Sequence, residues 1–337
     1  MAYQISNNKP GQMTSALKSR HELEGEMTAS RNSQLPGRPV RILSISFPNG
    51  KTLAQVAEIV DREAAAGVDL VALPETFLGQ ADHAPEPLEG PTVTTMAALA
   101  AKHRTYIVCP IDRCDGPRRL NTAVLIDREG HVAGVYDKVY PYWSEYDVKP
   151  PVTPGSDAPV YQADFGRVGM AICFDANFPS VWQRLAEGGA ELVVWGSAYS
   201  AGTTLQAHAL NHNFTIVTST QTRDCIVYDI TGQEVFYAKS DDVNVSHVVV
   251  DLDRAIFHEN FNIAKRDRLL REHGDEVEQE RYLEREQWFV LRARRPGVSV
   301  HALASEYGME ELADYKTRSC REIDALRGRA FTQEVRA

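Results

Sequence analysis

Between residues 40 and 253, short apolar runs alternate with stretches whose apolar residues recur at helical spacing. RILSISF at 41–47 reads as a buried strand, 51–66 as a helix stopped by Gly67, and DLVALP at 69–74 as the next strand. A helix near 91–103 leads to TYIVCP at 105–110. AVLID, a turn at Arg128–Gly130 and HVAGVYD then form a hairpin. The alternation continues with strand GRVGMAIC at 166–173, helix 178–188, strand ELVVWG at 191–196, helix 203–212 and strand FTIVTST at 214–220. CIVYD, EVFYA and SHVVVDLD close it as a meander. Strands that are apolar at nearly every position are buried on both faces, so the pattern predicts a layered α/β fold with a mixed sheet.

The flanks differ. Residues 1–38 are polar and aperiodic and predict an arm without a core of its own. Residues 254–337 are rich in Arg, Glu and Leu and carry little β-like sequence. They read as charged helices with a break near Pro296–Gly297. Trp288, Phe289, Tyr307 and Tyr315 make this extension an ordered surface for contact with another subunit.

Charge and cysteine usage exclude several functions. A formal net charge of -10 argues against a general nucleic-acid binder, which would present a basic face. No apolar run is long enough for a membrane helix, and residues 1–38 contain no secretory leader. The five cysteines (Cys109, Cys114, Cys173, Cys225, Cys320) are odd in number and scattered, as free thiols in a reducing cytoplasm would be. No CxxC, HExxH or Cys/His zinc spacing occurs, so no metal site and no cofactor is expected.

Three polar residues end apolar runs. Cys173 stands where a strand meets a turn, a position that fixes Cα, exposes sulfur and offers backbone N–H groups to an oxyanion. The following helix start favours thiolate. Glu75, after Pro74, lies at a sheet edge of the kind that holds ligand sites in α/β folds, and a desolvated carboxylate there can act as a general base. Lys138 closes the hairpin and supplies a cation to a thiolate or an oxyanion. Each has a plainer reading taken alone: a buried structural thiol, an exposed turn carboxylate, a solvated lysine.

ALPE, YDKVYPYWSE and GRVGMAICFDANFP, in that order, resemble the nitrilase superfamily of carbon–nitrogen hydrolases over roughly two-thirds of the chain. The resemblance implies a four-layer αββα sandwich, here with a C-terminal helical extension, assembled as a homodimer or larger homo-oligomer. It implies Glu75 as general base, Lys138 as oxyanion cation, Cys173 as nucleophile and Glu145 as a second glutamate orienting lysine and substrate. The Phe174 backbone N–H completes the oxyanion site. Asp175 in CFDANFP resembles the amidase and N-carbamoyl-amine hydrolase form, which implies an amide or ureido small molecule as substrate. Tyr142, Trp143, Trp195 and Tyr199 are candidate pocket aromatics, with ordinary packing as their alternative. Nitrile hydrolysis, acyl transfer to an amine and a non-catalytic interaction protein on the same scaffold are the competing functions.

Overall fold

Strand β1 (Pro39–Ser46) shows why the apolar runs are continuous: Val40 and Ile42 point to one core, while Leu43, Ile45 and Phe47 point to another. In the computed structural model, which describes residues 35–80 and 84–331, this double burial produces two six-stranded sheets packed face to face. Most of the predicted arm, residues 1–34, lies outside the described residues. The first sheet contains β1, β2 (Leu70–Ala72), β3 (Tyr106–Asp115), β4 (Arg118–Ile126), β5 (Val132–Asp137) and β12 (Asn244–Asp251), in the order β12-β1-β2-β3-β4-β5. The second contains β6 (Val160–Ala163), β7 (Gly166–Ile172), β8 (Leu192–Ser197), β9 (Thr215–Thr220), β10 (Asp224–Tyr228) and β11 (Glu234–Lys239), in the order β11-β10-β9-β8-β7-β6. Each has a parallel centre, β1-β2-β3 in one and β7-β8-β9 in the other, and antiparallel margins.

Helices α1 (Leu53–Ala64) and α2 (Pro91–His103) cover the outer face of the first sheet. Val56, Val60 and Ala64 recur every fourth residue, and Thr52 with Gln55 forms a capping box at the start of α1. Helices α3 (Pro179–Glu187) and α4 (Thr203–His212) cover the second sheet through Trp182, Leu185, Leu205 and Ala209. The result is the expected αββα sandwich. Between the sheets, hydroxyls cap opposing backbone: Ser44 Oγ donates to Thr218 O at 2.7 Å and Ser219 Oγ to Ile45 O at 2.8 Å.

The C-terminal extension contains the expected helices α5 (Ile263–Glu272), α6 (Val300–Glu306) and α7 (Leu312–Arg327). The expectation of little β-structure there is corrected. Strands β13 (Ala255–His258), β14 (Val277–Leu283) and β15 (Trp288–Ala293) form a third, antiparallel sheet with its own core around Phe257, Leu269, Phe289 and Leu291. A register shift between Gln279 and Arg281 breaks the period-two pattern, and the solvated face of β14 carries charges, so the segment does not read as a strand. No helix among the described residues is long and apolar enough to cross a membrane.

Arg254 joins this extension to the sandwich, donating to Asp229 Oδ2 at 2.9 Å and Glu280 Oε2 at 2.8 Å with little solvent access. Removing one partner from a buried ion pair leaves the other charge uncompensated. Arg254→Ala is expected to destabilise the protein by about 3 kcal/mol, read as a lower urea midpoint and as easier proteolysis after residue 254.

Candidate active site

The loops after β2, β5, β7 and β8 meet at one edge of the sandwich, and the three strand-end candidates converge there with Glu145. Glu75 follows β2 in sequence. A Cβ on Gly196 would sit 3.2 Å from Leu73 O and 3.4 Å from Glu75 N, so glycine allows β8 its close approach to this turn. Lys138 directly follows β5, Cys173 directly follows β7, and Glu145 lies on a 3-10 turn, Trp143–Tyr146. Glu75, Lys138, Glu145 and Cys173 are 4%, 1%, 5% and 7% exposed.

Lys138 Nζ lies between two carboxylates, 2.8 Å from Glu75 Oε1 and 2.6 Å from Glu145 Oε2. The Glu145 oxygens accept from Lys138, Asn121 and the Tyr142 N–H. Ala198 N–H donates to Glu75 Oε2 at 2.9 Å, and Gln221 Nε2 holds the Glu75 carbonyl at 2.7 Å. Burial opposes charge on Lys138, but Glu75, Cys173 and Glu145 outweigh it and hold the ammonium's pKa above its usual value.

Cys173 adopts φ of +46°, a left-handed conformation uncommon for a side-chain-bearing residue and held by its surroundings. Trp195 Nε1 donates to Cys173 O at 3.2 Å. The next turn is anchored by Asp175, which accepts from Tyr136 Oη at 2.7 Å, Tyr140 N at 2.9 Å and Ile172 N at 3.0 Å. Burial pushes the Asp175 carboxyl up to about 6 against those bonds.

The expected helix-start stabilisation of a thiolate is opposed by this environment. Burial, then the Glu75 charge, pushes the Cys173 thiol above its ordinary range, and Lys138, the Ala198 N–H and the Ser197 hydroxyl offset only part of that. The five-residue 3-10 turn that starts at Cys173 is too short to act as a strong dipole.

The pocket aromatics divide. Tyr142 and Trp143 are exposed, Trp143 at 62%, and Tyr142 packs edge-on against Phe174 at 5.2 Å. Tyr199 is half-buried, and burial raises the pKa of its hydroxyl. Trp195 is fully buried and lines no open surface; it anchors the Cys173 carbonyl from the core. His208 is structural, stacked 4.4 Å from Trp182 with Nε2 against Ala176 O. Among the described residues, no group of three or more His, Cys, Asp or Glu side chains could hold a metal ion.

The carbon–nitrogen hydrolase profile matches residues 42–256, more than half of the chain. The chain belongs to the nitrilase superfamily of carbon–nitrogen hydrolases. Among its relatives, a probable nitrilase of Schizosaccharomyces pombe is 34% identical over 119 residues, covering 33% of this chain and 43% of that protein. A bifunctional nitrilase/nitrile hydratase of Nicotiana tabacum is 26% identical over 203 residues, covering 50% and 56%. A deaminated glutathione amidase of Synechocystis is 29% identical over 204 residues, covering 52% and 74%. The chain thus spans about half the length of the first two relatives. In fold it is similar to an amidase from Nesterenkonia (TM-score 0.55, 22% identity, covering 65% of this chain and 92% of that one). It is also similar to a carbon–nitrogen hydrolase from Helicobacter pylori (TM-score 0.56, 17% identity, covering 64% and 90%).

Sequence reasoning passed over three groups of the candidate site: Asn121, Gln221 and the Ala198 N–H. For Asn121 a signal existed. An amide inside the apolar run LNTAVLI must find buried partners, and such partners are usually part of a site or its support.

Proposed function

We propose that the chain is a cysteine amidohydrolase that cleaves a non-peptide amide or N-carbamoyl C–N bond through a thioester. The observation that carries this reading is a buried thiol beside a carboxylate that shares a buried lysine with a second carboxylate. Glu75 takes the Cys173 proton as sulfur attacks the carbonyl carbon. The oxyanion forms against Lys138 Nζ and the Phe174 backbone N–H. Collapse breaks the C–N bond, and Glu75 returns the proton to the departing ammonia or amine. Glu75 then deprotonates water, which attacks the thioester carbon; the acid leaves and the proton returns to sulfur. Glu145 keeps Lys138 in place, while Tyr142, Trp143 and Tyr199 shape the acyl side.

One structure of the similar Nesterenkonia amidase carries the acetamide moiety of fluoroacetamide on its active-site cysteine, which supports sulfur as the attacking atom here. Asp175 and the amidase relatives support amide or ureido substrates. The tobacco relative, named a nitrilase/nitrile hydratase, favours nitrile hydrolysis as the second reading.

A panel of simple amides, N-carbamoyl amino acids, ureas and nitriles, assayed for ammonia and carbon dioxide, tests the proposal. Ammonia from amides, or ammonia with carbon dioxide from carbamoyl compounds, is expected. Turnover of nitriles alone would replace the proposal with the second reading.

A further inference from the structure

Asn121 is 1% exposed, and its side chain stands between the two carboxylates of the site. Nδ2 donates to Glu75 Oε1 and to Glu145 Oε1, both at 2.8 Å. The amide orientation is fixed by its surroundings, because turning it over would set Oδ1 against two carboxylate oxygens. The Asn121 carbonyl also accepts the Lys138 backbone N–H at 2.8 Å, so one residue of β4 contacts three of the four site residues.

The consequence lies in how the oxygens of Glu75 are used. Oε1 receives two donors, Lys138 Nζ and Asn121 Nδ2. Oε2 receives one, the Ala198 N–H, which also acts on the Cys173 sulfur. The oxygen with a lone pair to spare is therefore the one that shares a donor with the thiol. We propose that Asn121 is a positioning residue that saturates Oε1 of Glu75, making Oε2 the oxygen that exchanges protons with Cys173, and that it sets the pH range in which Glu75 works as a base. This rests on the cysteine-hydrolase reading above.

The other groups facing Glu75 are Lys138 from the end of β5, Glu145 from its 3-10 turn, Cys173 from the end of β7 and Tyr199 from beyond β8. Asp112, paired with Arg119, acts on Glu145 from further out. All of these stay in place when Asn121 is changed. Donors to a carboxylate favour its charged form, so losing them raises the carboxyl pKa. A base works only when deprotonated, so the acid limb of the rate profile must then move to higher pH.

The test uses the full chain and the best amide of the panel. Asn121→Leu keeps the bulk and removes the donor without adding a charge; Asn121→Ala removes both. Both variants are expected to move the acid limb up by about one pH unit and to lower kcat by about 10–100-fold, with KM changed less than about threefold. If Asn121 only fills space, Asn121→Leu keeps the wild-type limb and kcat while Asn121→Ala loses stability; that result overturns the proposal. Should Asn121→Leu fail to fold, Asn121→Ala reads the same limb, and an unmoved limb there is equally fatal. Failure of the hydrolase reading appears separately, as a wild type that releases no ammonia from any amide, and the assignment of Asn121 falls with it.

Discussion

Cys173→Ala is expected to lose at least about 10⁴-fold in kcat towards any amide that the wild type hydrolyses. The reason is covalent: without sulfur no thioester forms, and water at the same point lacks the positioned lone pair. Stability should hardly change. The side chain contributes little buried volume, while the turn around it is fixed by the Asp175 carboxylate and by the Trp195 bond to the Cys173 carbonyl, neither of which uses the sulfur. Ammonia release and a thermal melt on the same preparation separate the two quantities. A retained melting temperature with lost turnover is the expected pair.

Lys138→Met should affect both quantities. Its ammonium is the cation that the structure places between Glu75 and Glu145, whose side chains are 5% and 6% exposed. Removing it leaves two buried carboxylates with only the Asn121 amide between them, at an expected cost of about 3–5 kcal/mol. Urea midpoints of wild type and variant at pH 7 check this. Lys138→Met/Glu145→Gln should regain part of the stability and none of the activity, because the oxyanion cation is still absent.

How much of this was legible in the sequence depended on the kind of burial. The runs at 41–47, 69–74 and 191–196 are mostly apolar because β1, β2 and β8 are covered on both faces, and such strands announce themselves. Glu75, Lys138 and Cys173 were visible for the same reason, as polar residues closing largely apolar runs. β14 was not visible, since an irregular register and a solvated face erased its period. Trp195 looked the same as Tyr199 in sequence; only the pleat of β8, which turns it inward under the Cys173 carbonyl, tells core from rim. The burial of Cys173 was not legible, because a turn after a strand suggests an exposed sulfur, whereas the chain packs around it. Asn121 was hidden by its neighbours, a single amide in an apolar strand whose meaning depends on two carboxylates far away in sequence.

The central claim is that the acyl group of the substrate passes onto Cys173. Its most direct test is rapid acid quenching of the wild type during turnover of a slow amide, followed by peptide mass mapping. A mass increase equal to the acyl group is predicted on the peptide containing Cys173 and is predicted to vanish when the substrate is exhausted. The same increase on Cys109 or Cys225, both fully buried thiols away from Lys138, or turnover with no adduct on any thiol, would contradict it.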